Sequence, residues 1–195
     1  MPRSAGFMPN DVVFARDGSF YFTDARGTAD DPIGGVYRVA AGGSTPEPVL
    51  THVAVANGIA LSPDGKTLWV GEFGAGRLHR IDLATPTTPK PFASTIAYYF
   101  IGPAPDSMRV DAQGHVYVAM YGQGRIMVFA PSGLPIGQIL LPDRDAGHDL
   151  SLTSLAIRPG TSELSIVTSD GDGSRGATIF HARAFGTALA DGERR

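Results

Sequence analysis

The sequence predicts an all-β chain folded as a β-propeller of about four blades, and three observations carry that prediction. Four segments of similar pattern begin at Asn10, Asn57, Asp106 and Thr153, at spacings of 47, 49 and 47 residues. Each opens with a short apolar alternation: Val12 and Phe14, Ile59 and Leu61, Met108 and Val110, Leu155 and Ile157. Alternation with period two, bounded by turn residues, marks a strand. No segment sustains helical periodicity. Three to four antiparallel strands recurring at this period describe a propeller blade. A sandwich with coincidental spacing is the alternative, and four copies in register through two strands and a turn disfavour it.

The elements follow in order. In the first repeat, "NDVVF" turns through "RDGS" into "FYFTD"; "GGVYRVA" and "EPVL" supply the third and fourth strands. The second repeat reads "NGIAL", "PDGK", "TLWVGE", "GRLHRIDL" and "KPFA"; the third reads "DSMRVD", "AQGH", "VYVAM", "GRIMVFA" and "IGQILL". The last holds "TSLAI", "ELSIVTS" and "GATIFHA". The Gly-containing turns suit hairpins. Residues 1–186 are therefore expected to form the partial propeller and 187–195 a frayed tail.

Composition narrows the function classes. A net charge of −3 without any basic run argues against a nucleic-acid surface. The absence of cysteine removes disulfides, thiolate chemistry and Cys-based zinc sites. No apolar stretch approaches the roughly 20 residues of a membrane span, and the first residues lack the apolar core of a signal peptide, so the default location is cytoplasmic.

The repeat gives "YYFIGPAPDSMRVD" its interest. Asp106 shares its register with Asn10, Asn57 and Thr153, and all four side chains carry oxygen. In a propeller the innermost strand of each blade lines the central channel, so these positions form a ring. A ring of carboxylate, amide and hydroxyl oxygens, with Ser107 close by, suits a hard cation such as calcium. The same residue types also open strands as ordinary turn chemistry. Both readings stand at this point.

The wording of "PNDVVFARDGSFYFTD", "VANGIALSPDGKTLWV", "YYFIGPAPDSMRVD" and "VYVAMYGQGRIMVFAPSGLPIGQILLPDRDAGH" resembles the gluconolactonase, regucalcin and drug-responsive lactonase family, closest to its lactonase branch. The resemblance runs from about Pro9 to Phe185. It implies a six-bladed propeller that holds Ca2+, or another divalent cation, in its channel and hydrolyses small-molecule lactones. It further implies that Asn10, Asn57, Asp106 and Ser107 surround the metal and that Asp106 transfers the proton. Four repeats fall short of six blades; the missing part is N-terminal and carries a Glu ligand in the family. Open blade edges then favour self-association. An inactive fragment, a non-catalytic binding propeller and a strictosidine-synthase-like condensing enzyme are the rival readings.

Other signals are weaker. Tyr99 and Tyr121 are candidates for the pocket mouth, with Tyr98 and Phe100 beside them, although packing between blades accounts for at least two of the four. His148, in "RDAGHD", is a candidate substrate contact or an ordinary surface histidine. "SDGDGS" carries Asp170 and Asp172 but fails the calcium-loop pattern, because Arg175 stands where Gly is required and His181 where Glu is required. No G-x-S-x-G nucleophile turn and no zinc-type histidine spacing occurs.

Overall fold

The computed structural model describes residues 6–103, 105–171 and 176–190. Among them lie four antiparallel sheets, each a run of consecutive strands. The first contains β1 (Pro9–Phe14), β2 (Phe20–Asp24), β3 (Gly34–Val39) and β4 (Glu47–Val53). The second contains β5 (Ala56–Leu61), β6 (Thr67–Glu72), β7 (Arg77–Thr85) and β8 (Thr88–Tyr99). The third contains β9 (Pro105–Val110), β10 (Val116–Met120), β11 (Arg125–Phe129) and β12 (Pro135–Leu140). The fourth has three strands, β13 (Ser154–Ile157), β14 (Glu163–Ser169) and β15 (Ala177–Arg183). One short 3-10 turn, Arg144–Ala146, is the only helical element among the described residues. The blades are arranged as in a propeller, as the repeat predicts.

The innermost strands β1, β5, β9 and β13 contact one another in sequence around the axis. The turns "RDGS", "PDGK" and "AQGH" each place their glycine at positive φ, at Gly18, Gly65 and Gly114. That is the region in which glycine meets no steric cost.

The core consists of three inter-blade clusters. Tyr21, Val36, Ile59, Leu68 and Val70 join blades one and two. Trp69, Leu78, Met108, Val118 and Phe129 join blades two and three. Tyr117, Ile126, Leu155, Leu164 and Ile166 join blades three and four. The first apolar residue of each inner strand therefore faces the preceding blade: Ile59, Met108 and Leu155 are buried. Among the described residues no blade covers their counterparts in blade one: Val12 is 47% exposed and Phe14 66% exposed.

Residues 187–190, which the sequence assigns to the tail, include docked backbone. Ala112 N–H donates to the Thr187 carbonyl at 2.7 Å, and Thr187 N–H donates to Gln113 Oε1 at 3.0 Å. Ala188 forms a parallel bridge with Pro159 and is buried. The boundary at 186 thus falls inside a docked segment, while 191–195 lie outside the described residues. Among the described residues no helix is long and apolar enough to cross a membrane.

Candidate metal centre and active site

The inner strands share a local irregularity at the positions the repeat singles out. Pro9 pairs with Asp24 and Val12 with Phe22, so three steps along β1 answer two along β2. β5 does the same between Ala56 and Ile59, and β9 between Pro105 and Met108. Each extra residue is a β-bulge, which re-aims the side chains it carries. The bulges hold Asn10–Asp11, Asn57–Gly58 and Asp106–Ser107 at one end of the channel.

Gly58 allows these bulges to approach. A Cβ there would collide with the carbonyl oxygen of Asp106 and come within 2.8 Å of the Ser107 Cα. Only a residue without a side chain lets β5 and β9 pack this closely. Ser107 N–H in turn donates to the Thr153 carbonyl at 3.4 Å, which ties the third bulge to the start of the fourth blade.

Asn57 is 6% exposed, and its Oδ1 is buried without a hydrogen-bond partner. A buried amide oxygen left unpaired is costly and marks a place where something else completes its shell. Beside it, the Asp106 carboxyl is pushed up to about 6. Burial is the main cause, and the negative charge of Asp11 adds to it; the Ser107 N–H and the Asn57 side chain pull the other way. The fully buried Met108 follows this pair along β9.

The structure brings Asn57, Asp106 and Ser107 together, but the first bulge is divided. Asn10 is exposed. Its neighbour Asp11 faces the other inner strands: its Oδ2 accepts from Ile59 N–H at 3.4 Å and from Arg109 Nη1 at 3.3 Å. Asp11 is thus the inward-turned member of the pair, a position that the repeat register does not single out. The signal was the "ND" pair itself, since a bulge decides which of two adjacent polar residues turns inward.

The aromatic candidates separate. Tyr98 and Phe100 pack on Phe129, with ring centroids at 5.2 and 5.9 Å. Tyr99 lies on the outer strand β8, 63% exposed, under the Arg77 guanidinium at 5.8 Å. Tyr121 follows β10 at the same end as Asp106 and meets Phe73 at 6.0 Å. Together with Phe100, Gly102 and Pro103 these two rings line a shallow depression of about 510 Å³. His148 sits on blade four, its Nδ1 3.2 Å from Asp170 Oδ2, and Asp149 N–H donates to the other Asp170 oxygen at 2.6 Å. Asp172 lies outside the described residues.

A second cavity of about 490 Å³ opens at the opposite end of the inner strands, among Val12, Ile59, Met108, Arg109 and Leu189. It is better enclosed, but its wall is mainly apolar and it lacks the paired Asn57 and Asp106 oxygens. Among the described residues no group of three or more His, Asp or Glu side chains is placed to hold a metal. The side chains on the three bulges offer carboxylate, amide and hydroxyl oxygens, residue types that suit calcium better than a nitrogen- or sulfur-seeking metal.

Comparison with known proteins places these features in context. The SMP-30/Gluconolactonase/LRE-like region family matches residues 2–148, which include all three bulges. Lactonase drp35 of Staphylococcus aureus (strain USA300) is 47% identical over 184 residues, covering 93% of this chain and 57% of the relative. Lactonase drp35 of Staphylococcus saprophyticus is 49% identical over 178 residues, covering 90% and 55%. The chain thus spans little more than half the length of these relatives. Among solved structures, the calcium-binding protein regucalcin from Agrobacterium tumefaciens superposes with a TM-score of 0.72 at 22% identity, covering 93% of this chain and 64% of that one. A gluconolactonase from Xanthomonas campestris gives 0.72 at 23% identity, covering 94% and 61%. At that identity the solved structures establish the shared propeller fold, while the sequence match establishes kinship. The chain belongs to the SMP-30/gluconolactonase/LRE-like family.

Proposed function

We propose that the bulged end of the channel is the site of a calcium-dependent lactonase that opens a lactone ring to a hydroxy acid. The observation that carries this reading is the pairing of the unpartnered, buried Asn57 Oδ1 with the Asp106 carboxyl. The residues fit a hard cation: Asn57 Oδ1, Asp106, Ser107 and the inward-facing Asp11 would hold it, with Asn10 at the rim. When bound, calcium supplies Lewis-acid polarisation of the lactone carbonyl.

The chain's own groups account for the proton. At neutral pH the Asp106 carboxylate accepts a proton from the attacking water as oxygen adds to the carbonyl carbon. It returns that proton to the ring oxygen as the acyl C–O bond breaks. Burial raises the Asp106 carboxyl above the ordinary carboxylate range, which favours proton donation, while a bound cation would draw it back toward the ionised, proton-accepting form. Phe73 and Tyr121 line an uncharged depression that would receive the apolar part of the substrate. The drp35 relatives are named lactonases, which supports the same assignment.

A non-catalytic binding propeller is the second reading. It is favoured by the small number of charged donors among the described residues. Hydrolysis of simple lactones by the purified chain, removed by a calcium chelator and restored by excess calcium, is the expected result. Calcium binding without hydrolysis of any lactone in a panel of ring sizes would favour the binder.

A further inference from the structure

The second strand of blade two ends in a buried acid that the proposed reaction does not use. Glu72 is 2% exposed and pairs across the sheet with Ala56, one residue before Asn57. Its Oε1 accepts from Ala54 N–H at 2.9 Å. Its Oε2 lies 2.8 Å from His79 Nε2 and 3.5 Å from Arg77 Nη1. The turn it grips is strained: His52 and Val55 have φ of 62° and 53°. For a β-branched residue such as Val55 that region is a true outlier, and it persists only where the surroundings enforce it.

Other bonds complete the enforcement. Phe73 N–H donates to the Val55 carbonyl at 3.0 Å, Gly74 N–H to the Ala54 carbonyl at 2.9 Å, and Val55 N–H to the Arg26 carbonyl at 3.3 Å. Blade one repeats the device at the same register. Asp24, fully buried and paired with Pro9, accepts from Met8 N–H at 2.9 Å and binds the Arg26 guanidinium at 2.7 Å. In both blades a buried acid holds the backbone that leads into an oxygen-bearing bulge. In blade three the matching position is Met120, which cannot do this.

We propose that Glu72 is a positioning residue: by accepting the Ala54 N–H it fixes the strained turn that aims the Asn57 amide into the channel mouth. Asp24 does the same for the bulge of Asn10 and Asp11. The role rests on the metal site proposed above and acts through Asn57, since Glu72 touches neither substrate nor the reacting atoms.

The test compares Glu72→Ala and Glu72→Met, which remove the acceptor, with Glu72→Gln, which keeps an oxygen for Ala54. The readouts are calorimetric titration with calcium chloride and amide hydrogen exchange across Val55–Gly58. The acceptor-free variants are expected to bind calcium about 10–100-fold more weakly, as lost outer contacts do at metal sites. Glu72→Gln should bind within a few-fold of wild type, and exchange at Val55–Gly58 should quicken only in the first two. Equal losses in Glu72→Gln and Glu72→Ala would overturn the proposal, because charge rather than positioning would then be the cause. If one acceptor-free variant fails to fold, the other decides. Absence of calcium binding by the wild-type chain would remove the metal site but leave exchange at Val55–Gly58 to decide the brace, with unchanged exchange overturning it.

Discussion

Asp106→Asn is expected to remove hydrolysis while making the calcium-free chain more stable at pH 8. The first effect follows from the proton: an amide cannot accept it from water, and losing a general acid–base lowers turnover by about 10²–10⁴-fold. The second follows from the raised folded-state titration, about 6 against an ordinary value of 3.8. The folded chain holds this proton more tightly than the unfolded chain. Its contribution to stability is therefore complete below about pH 4 and lost as pH rises through 6. Above that, a half-buried charge remains as a penalty of about 1–2 kcal/mol once solvent screening is allowed for. Asparagine carries no such charge, so the variant should melt about 5 °C higher at pH 8 and show little gain at pH 4. Thermal unfolding at the two pH values, beside a lactone assay, checks both effects. A gain that does not depend on pH would detach it from the carboxylate.

Tyr117→Phe is expected to do the reverse, destabilising the fold while leaving calcium affinity unchanged. The Tyr117 ring is fully buried, and its hydroxyl donates to Asp111 Oδ2 at 2.8 Å. The Tyr117 hydroxyl oxygen accepts in turn from Phe185 N–H at 2.8 Å and Gly186 N–H at 3.1 Å. Burial and the Asp111 carboxylate push the phenol well above its ordinary range, so it stays protonated and keeps donating. Asp111 is itself gripped by Gln113 N–H, His115 N–H and His115 Nδ1. Removing the hydroxyl takes one of two donors from Asp111 Oδ2 and leaves two backbone N–H groups without their acceptor, at a cost of about 2–4 kcal/mol. A fall of about 10 °C in melting temperature is expected, with amide protection lost first at Phe185–Ala188. A loss confined to calcium affinity would mean that this knot serves the metal site instead of the fold.

The two substitutions also show what sequence order conveys and what it hides. The blades were legible because each inner strand repeats the same alternation and the same Gly turn, both local properties of the chain. That register also places Asn57, Asp106 and Ser107 on neighbouring inner strands, which is what brings them to one end of the channel. Asp11 was not legible in this way, because the bulge between Pro9 and Val12 shifts the alternation by one residue, and only the pairing with β2 shows where the shift falls. Tyr99 is a pocket-mouth candidate by sequence, yet β8 runs on through Thr88–Tyr99 and carries it to the outer edge of its blade. The docking of Gly186 and Thr187 depends on groups some seventy residues away, at Tyr117 and Gln113, so local polarity reads the segment from 187 as a tail. The braces at Asp24 and Glu72 are likewise long-range, and in the sequence each is simply an acid at a strand end.

The most direct test is calorimetric titration of the 195-residue chain with calcium at pH 7.5, repeated for Asn57→Ala. The account predicts saturable binding that raises the melting temperature of the wild-type chain and weakens by about tenfold or more when the amide oxygen is removed. No binding by the folded wild-type chain, or equal binding by Asn57→Ala, would contradict it.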